Sequence, residues 1–163
     1  MRSIVRPVAV ALPVLAAVLL LTGCSAEPTV DQGALRTWQK QQDAAVERDD
    51  AVLGVLTAAI DAEQGEPSRP GSDISLHFPA SQRVDHVEFS CFGNGSMRAV
   101  VRVTSASGSR AVTTDPMSCR DSPHRIALGG STAAVDGIGC SGFDSDRASE
   151  WRLVIVGATP SGD

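Results

Sequence analysis

The sequence predicts an α+β chain in which an N-terminal signal segment and one long helix precede an antiparallel β-sandwich of about seven strands. Three observations carry that prediction. Two arginines lead into an uncharged run of Ala, Val and Leu within the first 21 residues. Apolar side chains then recur at helical intervals as far as Ile60. From Ile74 onward the pattern alternates, in short segments parted by Gly, Ser, Pro and Asp clusters. With 163 residues, 42% of them hydrophobic and 20% charged, the chain has room for one packed domain plus a targeting segment.

The first element is the signal segment, residues 1–23. Arg2 and Arg6 precede the uncharged stretch Pro7 to Leu21, the charged-then-apolar layout of an export signal. At about 15 residues this stretch is short of the ~20 that a helix needs to cross a bilayer. It ends in Leu21-Thr22-Gly23-Cys24, which resembles the bacterial lipobox: an apolar residue, two small ones and a cysteine. The resemblance implies that diacylglycerol is joined to the Cys24 sulfur and that processing enzymes cut the leader off before it. Cys24 is then the lipidated N-terminus of a protein held on the extracytoplasmic face of the cell membrane. Two acyl chains anchor stably, because each buried methylene contributes about 0.8 kcal/mol and a single chain binds only marginally. An ordinary signal peptide with an incidental cysteine is the alternative. Without Arg2 and Arg6, the remaining chain holds 12 basic and 19 acidic residues, a net charge of −7. Such a balance predicts no nucleic-acid partner. Thirteen of the fourteen basic residues are Arg, with Lys40 the exception, which points to a high-GC bacterial source.

Residues 24–28 form a polar tether, and a helix is expected over 29–64. Thr29 and Gln32 have capping-box spacing, and Leu35, Trp38, Ala45, Val52, Leu56, Ala59 and Ile60 form its apolar stripe. Gln42 and Asp49 interrupt the stripe, while Ala51 to Ile60 is apolar almost all round. Gly65 and Pro67 supply the stop, inside a linker over 65–73. Such a helix is roughly 50 Å long. It is expected to cover a face of the sheet; a spacer that lifts the domain off the membrane is the other use.

The sandwich is expected over 74–157, with a disordered tail over 158–163. Val87, Phe89 and Cys91 share one parity, and Met97, Ala99, Val101 and Val103 oppose Arg98 and Arg102. Between these strands lies Gly93-Asn94-Gly95-Ser96, where Asn-Gly predicts a type I′ hairpin. Further strands are expected at Ile74 to Phe78, Arg110 to Thr113, His124 to Leu128, Ala133 to Cys140 and Trp151 to Gly157. A single curved sheet backed by the helix is the alternative architecture.

With Cys24 committed to lipid, Cys91, Cys119 and Cys140 remain, an odd number in a compartment that permits disulfides. Cys91 with Cys119 is the preferred pair, since Cys91 has inward parity and Cys119 follows a Pro-containing loop; Cys91 with Cys140 is the second choice. The same region resembles a group of small actinobacterial lipoproteins of unknown function. These carry a Cys-x-Gly-x-Gly-like hairpin, here Cys91-Phe92-Gly93-Asn94-Gly95, then a second Cys and a final strand with Trp, here Trp151 to Ile155. The resemblance implies a sandwich and a disulfide, leaves Cys140 as a departure, and offers no catalytic residues.

No spacing for a familiar chemistry emerges. There is no Gly-x-Ser-x-Gly elbow, no Ser-x-x-Lys and no Cys-x-x-Cys. Cys140 with His77, His86 or His124 would make a thiol–base pair, but its inward parity beside Ile138 favours an inert, buried thiol. The three histidines have no metal-ligand spacing. Asp136, Asp144 and Asp146 are oxygen donors in one polar segment, better read as a solvated loop than as a calcium site. Asp85 and Glu88 are read as solvent-facing strand charges rather than an acid/base pair. For stacking on a saccharide only Phe92 and Phe143 qualify, with Phe89 and Trp151 assigned to the core. Catalytic residues, metals and cofactors are therefore expected to be absent. The expected function is a membrane-anchored binding module for an envelope protein or polymer. A spacer built on the long helix and a cell-envelope hydrolase are the alternatives.

Overall fold

A computed structural model describes residues 30–62, 73–129 and 134–158. The signal segment 1–23, the lipobox residues Leu21, Thr22, Gly23 and Cys24, the tether and the tail beyond 158 lie outside them. So does the linker, residue 73 excepted.

The long helix is two elements. Helix α1 runs over Gln32–Val46 and strand β1 over Val52–Ile60. The cap is Asp31 rather than Thr29: its carboxylate accepts from the Gly33 and Ala34 backbone N–H groups and satisfies two donors that a helix start otherwise leaves unpaired. Asp49 then turns the chain. Its carboxylate accepts from the Ala51 N–H and its carbonyl from Val52. The apolar run after it pairs antiparallel with the final strand, Val52 opposite Val156 through Ile60 opposite Ser149. An all-round apolar decapeptide suits a two-sided strand as well as a buried helix, and here the backbone partner decides.

The other strands are β2 (Ile74–Cys91), β3 (Ser96–Ser105), β4 (Gly108–Thr113), β5 (Met117–Ser118), β6 (His124–Ile126), β7 (Ala134–Phe143) and β8 (Ser149–Gly157). They form one antiparallel sheet in the order β1-β8-β2-β7-β3-β4, with β6 on β2 and β5 on β3. The sheet is open, ending in β1 on one side and β4 on the other. Ile74 to Phe78 and the Val87 to Cys91 segment, expected as separate strands, belong to the single eighteen-residue β2. Its first part pairs with β7 and its last part with β8, across register breaks between His77 and Gln82 and between Val84 and His86. Strand β2 thus joins two half-sheets.

Apolar side chains from both halves fill one core: Val87, Phe89, Leu153 and Ile155 from the first, Ala99, Val101, Val103 and Ile138 from the second. Phe89 stacks on Trp151 at 6.1 Å between centroids. Two glycines allow the halves to approach. Trp151 occupies the space that a Cβ on Gly142 would need, and Leu76 does the same at Gly54.

The Asn-Gly hairpin does not form. Strands β2 and β3 are not neighbours: the end of β2 lies between β8 and β6, and β3 lies between β7 and β4. A type I′ turn requires positive φ at both central residues, yet in this loop only Gly93 has it, at 95°. Residues Phe92 to Gly95 instead carry the chain from one half-sheet to the other.

Cys91 and Cys119 form a disulfide that fastens this crossover to the segment after β5. Cys140 is a free thiol with no exposed surface, facing the core opposite Val101.

Helix α1 lies on the outer side of β8. Gln39 Nε2 donates to both Glu150 carboxylate oxygens at 2.9 Å, and Arg152 Nη1 to Asp43 Oδ1 at 2.6 Å. Trp38 meets Phe92 edge-on at 5.9 Å. Leu35 is the one buried residue of the helix.

Candidate functional site

The residues singled out as chemistry do not assemble. His86 Nδ1 is 2.8 Å from Asp85 Oδ2, and Arg125 holds the same oxygen at 2.7 Å. Glu88 stands 3.4 Å from His86 Nε2. This is a mixed-charge cluster on the outer side of the first half-sheet, placed there by the break in β2 at Asp85. His124 faces another way and donates from Nε2 to the Ser118 carbonyl at 2.7 Å, a bond that holds β6 to the end of β5. His77 lies across Gly137 on the second half-sheet.

Asp136 also lies apart from Asp144 and Asp146, which follow one another in the β7–β8 loop. Asp136, near the start of β7, accepts from Ser81, whereas Asp146 lies beyond the end of that strand, about 25 Å or more away at 3.3 Å per residue. Among the described residues, no group of three His, Cys, Asp or Glu is arranged to hold a metal ion. Burial, reinforced by the Asp73 carboxylate, pushes the Cys140 thiol far above its ordinary value, so it stays protonated and unreactive. Phe143, expected as an exposed stacker, has no exposed surface; the Arg98 guanidinium covers its ring at 5.0 Å from the centroid.

Phe92 is the stacker that does reach a cleft. The crossover Phe92-Gly93-Asn94, the β7–β8 loop at Asp146-Arg147-Ala148 and Val30 together line a hollow of about 350 Å³. Backbone and hydroxyl bonds fix its walls: Phe92 N–H donates to the Glu150 carbonyl at 2.8 Å, and Ser149 Oγ to the Phe92 carbonyl at 2.8 Å. Arg147 bridges the two loops, donating from Nη1 to Asn94 Oδ1 and from Nε to Asp146 Oδ1 at 3.1 Å. Asp146 in turn accepts from the Ser96 N–H at 3.1 Å. Burial pushes the Asp146 carboxyl up, but the Ser96 N–H and the Arg147 guanidinium outweigh it and hold the group below the usual carboxylate value. A Cβ on Gly95 would overlap the Asp146 and Arg147 side chains, so any larger residue there would have to displace both. The cleft therefore offers a half-buried aromatic face, a guanidinium and an amide, groups that bind and orient. None of its described lining residues is Ser, Thr, Cys or His.

A second polar cluster lies on the outer side of the other half-sheet. Asp73 accepts from Ser141 Oγ at 2.7 Å and from Arg102 Nε at 2.8 Å. Burial raises this carboxyl, and the Arg102 and Ser141 hydrogen bonds overcome that and lower it. Gly137 and Gly139 floor the central strand here, leaving room for His77 and Asp73 to lie across it.

Sequence reasoning missed Arg147, Val30 and the Asp73–Ser141–Arg102 group. Their partners are 50 to 70 residues distant in most cases, and no local pattern carries such a pairing; of the cleft, the sequence marked Phe92, the Gly93-Asn94-Gly95 spacing and Asp146. No protein-family model, curated protein or solved structure matches the chain.

Proposed function

We propose that the chain is a bacterial lipoprotein, anchored through diacylglycerol on Cys24 to the extracytoplasmic face of the membrane, whose β-domain binds an envelope protein or polymer. The observation that supports this best is the Cys91–Cys119 disulfide in a chain whose leader ends in Leu21-Thr22-Gly23-Cys24. Disulfides persist in oxidising compartments outside the cytoplasm, and the leader is the means of reaching one. On this reading the two half-sheets are the layers of a β-sandwich. The binding reading also fits sites that hold guanidinium, amide and aromatic groups, and histidines that each serve a separate structural contact. A spacer role needed the long helix; α1, at 15 residues, is about 22 Å long and lies on the sheet.

Cys24→Ala tests the anchor. The expected result is an unlipidated, uncleaved chain that leaves the detergent-soluble membrane fraction, with the N-terminal mass of the wild type carrying diacylglycerol. A variant that is processed and retained like the wild type overturns the assignment.

A further inference from the structure

Val30, the first described residue, lines the cleft and stands six residues after Cys24 in the sequence. A chain spans at most about 3.3–3.6 Å per residue, so Val30 stays within roughly 20 Å of the anchor. Strand β3 leads away from the cleft. Ser96 bonds Asp146 at the rim, and at the other end of the strand Ser105 opens the turn to Gly108, roughly 30 Å off.

The groups at the mouth suit the headgroup layer. Trp38 and Phe92 are each half-buried and in edge-to-face contact, and aromatic rings with one apolar and one wet side are favoured at the boundary between lipid and water. The Arg147 side chain is 43% exposed despite its two bonds, and a guanidinium matches a phosphodiester in shape and charge. Asp146 beside it offsets the charge, and the mature chain is acidic overall. Attraction must therefore come from short-range hydrogen bonding and ring burial, not from long-range steering. Resting on the Cys24 anchor proposed above, we infer that the Phe92–Arg147 cleft docks on the phosphodiester headgroups of the bilayer that holds the anchor, and that the Ser105–Gly108 turn points away from it.

The two tryptophans of the chain provide the test. The lipidated full-length protein is placed in phosphatidylglycerol and phosphatidylcholine vesicles carrying a headgroup-attached dinitrophenyl quencher. Trp151→Phe leaves Trp38 as reporter; Trp38→Phe with Trp151→Phe and Ala106→Trp places the reporter in the far turn. The expected result is several-fold stronger quenching of Trp38 than of the Ala106→Trp reporter, lost on Arg147→Glu. Should Trp151→Phe fail to fold, both reporters are read with Trp151 retained: the signal of Trp38→Phe is subtracted from that of the two-tryptophan chain for Trp38, and from that of Trp38→Phe with Ala106→Trp for the far turn. Vesicle flotation separates the two layers of the argument. A protein that does not float lacks the anchor, and the docking proposal falls with it. A protein that floats with Trp38 no more quenched than the far-turn reporter, or with quenching unchanged by Arg147→Glu, overturns the docking alone.

Discussion

Arg152 and Arg102 each reach an aspartate from the outer side of a half-sheet, at 2.6 and 2.8 Å, yet only 10% of the Arg152 side chain is exposed against 41% of Arg102. The difference is α1. The helix supplies Asp43 and shuts water out above β8, whereas the face holding Arg102 has no described element across it, and its central strand is floored by Gly137 and Gly139. Covered, the guanidinium is held by one strong bond while its Nε finds no partner among the described residues, a cost that only a well-seated helix offsets. Open, the other guanidinium can trade its aspartate for water or for a ligand. One fold thus presents a face covered by its own helix and another on which the guanidinium stays exposed.

The largest effect that can break this contrast is one that ignores it. Removing the disulfide with Cys91→Ala and Cys119→Ala should cost about 3.5 kcal/mol, from the loop entropy of a 28-residue separation. Because the bond fastens the crossover between half-sheets, urea denaturation should show one earlier transition, with amide protection reduced on both. Loss confined to one half would mean that the halves are energetically separate.

Next in size, Arg152→Ala should lower stability by about 2 kcal/mol through a lost charge-assisted bond and lost packing. Arg102→Ala should cost less, about 1 kcal/mol, because its guanidinium is 41% exposed and the Asp73 carboxylate left behind keeps its bond from Ser141. Equal losses in thermal denaturation would remove the distinction between the faces.

The smallest effect is that of pH. Asp73 and Asp146, together with the capping Asp31 held low by the Ala34 and Gly33 N–H groups, ionise more readily folded than unfolded. Their contribution is complete above the unfolded carboxylate value of about 3.9 and is lost as pH falls through the lower folded values. Asp73→Asn should flatten the acid limb of a stability-versus-pH curve and leave stability at pH 7 reduced. A limb as steep as that of the wild type would assign the acid sensitivity elsewhere.

Strand parity was legible because it is local. Val87, Phe89 and Cys91, and Met97 through Val103, face the core as their alternation indicates, and the pairing of Cys91 with Cys119 agrees with the preferred choice. Where the outcome depended on a distant partner, local pattern misled. Ala51 to Ile60 reads as a helix extension until β8 claims it, although β-branched Val52 and Val55 around Gly54 were a signal for a strand. Asn94-Gly95 reads as a hairpin, but both edges of β2 are already taken. Phe143 reads as exposed because nothing in its neighbourhood announces that Arg98, 45 residues earlier, will cover it. The cleft was half visible, in its glycines and Phe92; Arg147 and Val30 arrive only with the fold.

The way α1 is attached also determines how the molecule bears a load. A pull at residue 30 acts first on a helix with one buried side chain and two polar clasps, Gln39 to Glu150 and Asp43 to Arg152, hinged at the Asp49 turn. Those clasps yield in sequence, and the fifteen residues can peel away before tension arrives at β1 and its eight-pair ladder. Among the described elements, α1 is therefore the one that tension entering at residue 30 would reach first, ahead of the β1–β8 ladder.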